Sequence, residues 1–155
     1  MAEPKVIPDV ETVVVQWAKD DALLDLIHNG RVATNLPEDP FNQDTGTPIT
    51  DPFITVFRVG GQPDRKFDGL IDRALIQIDC YGPPGGYRQA SHAARTLIAQ
   101  AHIFVGSVAA SGPDNLAWVF GYEIVTGPRR VHEPETNWAR YIVEMFANVT
   151  SGEET

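Results

Sequence analysis

Apolar residues at Val10, Val13, Val14 and Trp17 follow the i, i+3, i+4, i+7 spacing of one helical face, directly after Pro8-Asp9. Asp9 and Thr12 are both able to cap such a helix, and Asp9 with Glu11 places negative charge at the positive end of its dipole. Asp20-Asp21 interrupts the pattern and can cap a second short helix over 22–28, whose apolar residues are Leu23, Leu24, Leu26 and Ile27. Asn29-Gly30 stops it, because glycine accepts the left-handed conformation that ends helices. The period then changes from helical to alternating. Residues 31–36 predict a strand stopped by Pro37, and the β-branched and aromatic run 53–59 predicts another, closed by Gly60-Gly61. Residues 70–81 predict a third, with Arg73, Leu75, Gln77 and Asp79 opposed to Ala74, Ile76, Ile78 and Cys80. Helical spacing returns over 87–105, where Ala90, Ala93, Ala94, Leu97, Ile98, Ala101 and Phe104 form one stripe, slim enough to lie close against a sheet. Two strands follow, over 117–126 and 137–149, separated by a turn at Gly127-Pro128; in the last, Tyr141, Val143, Met145 and Ala147 oppose Ile142, Glu144, Phe146 and Asn148.

The order α-α-β-β-β-α-β-β predicts an α+β domain, with a mostly antiparallel sheet of about four to five strands covered by an N-terminal helix pair and one long Ala-rich helix. The 155 residues predict a single domain with an ordered core over 8–149 and a frayed tail at 150–155. Four prolines and Gly46 make residues 37–52 an expected long mobile loop with little to bury, and 107–115 reads as a further loop. Trp118 and Trp138 stand near strand starts and are expected to fill the core.

Composition narrows the function classes. Twelve Lys and Arg against 21 Asp and Glu give a net charge of −9, which argues against a nucleic-acid-coating protein. The surplus of acid is concentrated in residues 1–57, whereas 58–140 is nearly balanced. Cys80, the one cysteine, allows neither an internal disulfide nor a multi-cysteine metal site. No targeting leader and no membrane-spanning run is read, so cytoplasm is the expected compartment of synthesis, and Asn148-Val149-Thr150 is taken as a chance sequon.

Catalytic constellations are not apparent. The Gly60-Gly61-Gln62-Pro63-Asp64-Arg65-Lys66 stretch lacks phosphate-loop spacing and leads into a strand rather than a helix. His92 and His102 share a helix but stand roughly 80° apart around it and ~15 Å along it, wrong for a shared metal. Cys80 in an apolar strand reads as a small buried hydrophobe. The expectation is therefore a non-enzymatic chain with no cofactor and no metal.

Several segments, taken in order, resemble the tail terminator (tail completion, head–tail joining) proteins of long-tailed bacteriophages. They are the opening helix at Pro8-Asp9-Val10-Glu11, then Arg31-Val32-Ala33-Thr34-Asn35-Leu36-Pro37, then Phe57-Arg58-Val59-Gly60-Gly61. Asp72-Arg73-Ala74-Leu75-Ile76-Gln77-Ile78-Asp79-Cys80-Tyr81-Gly82 comes next, and after the Ala-rich helix come Gly127-Pro128-Arg129-Arg130 and Arg140-Tyr141-Ile142-Val143-Glu144-Met145. The likeness spans about residues 8–148; the proline-rich 37–52 segment is longer than the pattern.

The resemblance implies a structural virion protein at the head-proximal end of the tail, assembled in the host cytoplasm. Its copies would form a ring, usually a hexamer, that caps the tail tube, halts its growth and docks the head completion or connector protein. DNA would pass through the bore without specific binding, and no membrane is involved. Arg58, Arg65, Lys66, Arg73, Arg129 and Arg130 are the candidate assembly residues, with Asp20, Asp21 and Asp25 as possible partners on an adjacent copy. The Arg129-Arg130 pair is expected to project from a turn beyond the sheet. The alternatives are another head–tail connector or tail tube subunit, or a small-ligand-binding or hydrolytic α+β domain with a pocket near Asp79, Cys80 and His92.

Overall fold

The computed structural model describes residues 8–44, 46–63, 71–109 and 116–151, the side chains of 107–109, 116 and 151 excepted. Helix α1 (Val10–Asp20) starts at Asp9, whose carboxylate accepts hydrogen bonds from the Glu11 amide and the Thr12 hydroxyl, both at 3.1 Å. Helix α2 (Ala22–His28) starts at Asp21, which accepts from the Leu23 and Leu24 amides, and ends at Asn29 in the left-handed conformation. These caps satisfy amides that the helices leave open. Gln100, at the end of α3 (Tyr87–Gln100), donates to the same Asp21 carboxylate and ties that helix to the cap of α2.

The strands are β1 (Val32–Ala33), β2 (Phe53–Pro63), β3 (Asp72–Pro84), β4 (Gly106–Ala109), β5 (Leu116–His132) and β6 (Trp138–Ser151). They form one sheet in the order β1-β2-β3-β6-β5-β4, antiparallel at every pairing except the parallel β1–β2. The α+β architecture follows the apolar spacing, but several boundaries move. The first strand shrinks to two residues. The next edge amide of β2, that of Arg58, is occupied by the Glu11 carboxylate at 2.7 Å, so β1 has no ladder to extend along. Strand β2 does not close at Gly60-Gly61. A register shift between Arg58 and Gly60 lets the strand run on to Pro63. Gly61 sits at φ +84°, and a Cβ there would lie 2.1 Å from the Arg73 carbonyl oxygen, so the close approach to β3 requires glycine. The long helix ends at Gln100 and tightens into a 3-10 turn, Ala101–Phe104, that sets the Phe104 ring 5.1 Å from that of Trp17. Part of the expected loop after it is β4, paired with β5 from Gly106↔Val119 to Ala109↔Leu116.

All three helices cover one face of the sheet. Val13, Val14, Trp17, Leu24, Ala93, Ala94 and Leu97 meet Ile54, Val56, Ala74, Ile76, Ile78, Val143, Met145 and Ala147 in the core. Beneath α1 the Arg58 guanidinium grips the buried Asp72 carboxylate at 2.5 and 2.8 Å, and that hydrogen-bonded partner holds the Arg58 pKa above its ordinary value.

Residues 37–52 do have something to bury. Phe41 is 1% exposed and stacks edge-on to Trp138 at 6.1 Å, with the Arg31 guanidinium over its ring. Arg31 also donates to the Pro40 carbonyl, and the Ile49 amide donates to the Phe41 carbonyl at 3.0 Å. Trp138 is accordingly a half-buried clamp on this loop, through Nε1 donating to Gln43 Oε1 at 2.9 Å, rather than a core filler. Replacing Phe41 with Ala should cost about 3 kcal/mol of folding stability and release the segment. Urea unfolding and amide exchange at Ile49 read the two effects. Unchanged stability with unchanged Ile49 protection would show that the ring does not anchor the loop.

Candidate functional site

The sheet face turned away from the helices is built from aligned cross-strand rows, because directly paired residues point the same way. One row is Thr55, Asp79, Ile142 and Arg129; the next is Phe57, Gln77, Glu144 and Thr126; the next is Gly60, Leu75, Phe146 and Glu123. At the β1 end, the row of Phe53, Tyr81 and Arg140 lies beside the Phe41 loop, with Arg31 over Phe53 and Arg140 over Tyr81. Among the described residues no helix lies over the rest of this face.

Several of its charged groups pair with one another within the subunit. Asp79 is buried and accepts from Arg140 at 2.9 Å and from Gln77 at 2.9 Å, while Arg140 also reaches Glu133. Burial works against the Arg140 charge, but the Asp79 carboxylate and the Glu133 hydrogen bond outweigh it and hold its pKa above the ordinary value. Burial, reinforced by Asp79, pushes the Tyr81 phenol up to about 12. Arg31 goes the other way, its pKa lowered by burial against the pull of Asp51. Both Asp79 oxygens accept from neighbouring side chains, which makes this carboxylate a structural anchor.

The sequence-predicted assembly residues are dispersed over the sheet. Arg58 is on the helix-covered face, holding Asp72. Arg73 is on the bare face, its guanidinium 4.2 Å from the Phe146 ring centroid and 3.1 Å from Glu123. Arg65 and Lys66 lie outside the described residues. Arg129 and Arg130 do not project from a turn: β5 runs through Gly127-Pro128 to His132, and the two arginines pair in register with Ile142 and Tyr141. The proline is tolerated because the register shifts between Thr126 and Arg129, a bulge where no ladder donor is needed. The two therefore face opposite sides. Arg130 lies over the Tyr87 ring at 3.6 Å on the helix side, while Arg129 is exposed on the bare face. Searches against protein-family models and curated proteins give no match to this chain. Its own geometry must carry the functional argument.

The pocket suggested by Asp79, Cys80 and His92 is not assembled. Asp79 and Cys80 are successive strand residues on opposite faces, and His92 is exposed on α3. Cys80 is wholly buried, and that burial, with Asp79 nearby, raises its thiol pKa far above the range of reactive thiols. Among the described residues no group of three His, Cys, Asp or Glu is placed to hold a metal ion, and no helix is long and apolar enough to cross a membrane. Trp118 is not in the core either; it is 45% exposed, with Phe120 and Val125 also exposed further along β5.

Arg140 was the residue that spacing alone did not single out. The available signal was an acid, Asp79, and a base, Arg140, each on the polar phase of a long alternating strand. Removing Arg140 as Arg140→Leu should destabilise the fold by about 3–5 kcal/mol, because Asp79 would remain buried and uncompensated. Asp79→Asn combined with Arg140→Gln should recover a large part of that loss in urea unfolding. If the single change is as mild as the double, the pair is not what holds this corner.

The Tyr81 phenol gives a pH expectation with a definite sign. A pKa raised in the fold means stabilisation that is complete below the ordinary value of 10.0 and is lost as pH rises through about 12. Alkaline unfolding should thus show a component between these values that Tyr81→Phe removes, and the same change should remove a late-titrating component from the tyrosinate absorbance. Alkaline unfolding and tyrosinate titration unchanged by Tyr81→Phe in this range would contradict it.

Proposed function

We propose that this chain is a structural subunit of a long-tailed phage, a tail terminator whose copies form a ring, capping the tail tube, stopping its polymerisation and presenting a surface for the head. The observation that carries the reading is the bare sheet face. Its Asp79–Arg140–Glu133 and Arg73–Glu123 groups are paired within the subunit, and β5 exposes Trp118, Phe120 and Val125. Such a surface suits packing against another protein rather than turnover of a small substrate. The ordered series of segments from the Asp9-capped helix to the Arg140 strand supplies the identity of the assembly.

The partners on this reading are further copies of the chain, the tail tube protein and the head completion or connector protein. A hexameric ring needs two different complementary patches per subunit. The net charge of −9 suits a bore through which DNA slides, since like charges suppress binding to phosphate. The protein would be found in the virion, at the head-proximal end of the tail, after assembly in the host cytoplasm.

Deleting the gene from its phage should give filled heads and separate tails of abnormal length, with few joined particles. Electron microscopy of the lysate decides the matter. Normal joined virions would sink the reading, and restoration of joining by the plasmid-borne gene would support it.

A further inference from the structure

The exposed apolar side chains fall into separate patches. Helix α2 presents Leu26, 81% exposed, at the centre of its outer face, with Leu23, 52% exposed, on one side and Asp25 on the other. Strand β5 presents Phe120 and Val125, 51% and 49% exposed, with Arg129 four residues beyond. The patches lie on different elements, one on a helix that covers one face of the sheet and the other on the last strand but one.

Charge selects the pairing. Every arginine of the described strands but one is already committed: Arg58 to Asp72, Arg73 to Glu123, Arg130 to Tyr87, and Arg140 to Asp79 and Glu133. Arg129 is the exception. Among the acids at the helix pair, Asp9 and Asp21 cap helices, Glu11 holds the Arg58 amide, and Asp20 accepts from Gln16. The Asp25 carboxylate has no such partner among the described residues. The monomer thus leaves one acid beside exposed leucines and one arginine beside exposed β5 side chains.

The β5 edge also specifies how a partner can dock. Beyond Val119 it has no strand beside it among the described residues, but register shifts at Val119/Gly121, Ile124/Thr126 and Thr126/Arg129 break its line of backbone groups. Bulges of this kind oppose the addition of a further strand. A partner meets this flank with side chains, and a short helix carrying two exposed leucines and an acid has the matching chemistry.

We infer that α2 of one copy seats Leu23 and Leu26 on the Phe120–Val125 flank of β5 of the next copy, with Asp25 facing Arg129. The contact is head-to-tail, so an open series keeps one unused patch of each kind, one at either end, until it closes. This assignment rests on the reading of the chain as an assembling subunit and adds the surfaces that do the assembling.

Sedimentation of the full chain over a wide concentration range, with circular dichroism to confirm folding of each variant, tests it. The parent should self-associate. Arg129→Asp and Asp25→Arg should each weaken association at least about tenfold, since like charges would then be apposed, and combining both in one chain should restore it. Mixing Leu26→Cys with Val125→Cys under oxidising conditions should give a disulfide-linked mixed dimer, with neither variant linking to itself; Cys80 is buried and stays silent. Association indifferent to both reversals, or self-linking of one variant, overturns the inference while leaving the tail reading to the lysate. A chain that stays monomeric alone yet binds tube protein through these residues assigns the patches to a different partner and also overturns it.

Discussion

The ladder between β3 and β6, paired from Asp72↔Val149 to Pro84↔Trp138, presents two faces with opposite demands. On one, Ala74, Ile76, Ile78, Val143, Met145 and Ala147 must leave water, and α1, α2 and α3 remove them from it. On the other, Asp79 sits at the centre of the sheet, away from any helix, and is nonetheless buried. A lone carboxylate could not remain ionised there without a large cost, so Arg140 on the facing strand is fixed by the same register that places the core. The loop over 37–52 completes this end, bringing Phe41 against Trp138 of β6, whose ring in turn meets Tyr81. One register thus sets the core, the ion pair and the docking of the longest connection.

The arrangement also explains why the arginines divide as they do. A guanidinium lying over an aromatic ring or gripping a carboxylate is already oriented, and moving it to an external partner would sacrifice an interaction of the monomer. Arg58 and Arg130 stabilise the helix-covered face; Arg73 spans Phe146 to reach Glu123 on the bare one. Sequence proximity is therefore a poor guide to shared role. Arg129 and Arg130 are neighbours in the chain, yet strand alternation sends them to opposite sides of the sheet.

The helix caps, the alternation of β3 and β6 and the alanine stripe of α3 were legible because each depends on local spacing. The caps at Asp9 and Asp21 need only a carboxylate ahead of an apolar period. What escaped local reading depends on partners far along the chain. β1 stops where Glu11 takes the Arg58 amide, and β2 passes through two glycines because a bulge and a positive φ at Gly61 suit the approach of β3. β4 is a strand because β5 offers it an edge. The prolines of 37–52 correctly signalled a loop, but a single aromatic residue, Phe41, decided that the loop is anchored. At the candidate site, the basic residues were visible and their commitments were not.

Those commitments bear on how an acidic chain can assemble at all. With a net charge of −9, copies repel one another at long range, and the repulsion falls off beyond a Debye length of about 8 Å in physiological salt. Association then has to be driven by apolar surface at close range and directed by a small number of unlike charges. On the proposed reading, exposed leucines on α2 and exposed β5 side chains would supply the first, and their location on different elements would favour a directional contact over a symmetric one. Because the bulged β5 edge opposes strand addition, growth by sheet extension is disfavoured, and the number of copies would be set by the angle between two side-chain surfaces. Such an angle gives a ring when the repeated rotation closes on itself and an open filament when it does not.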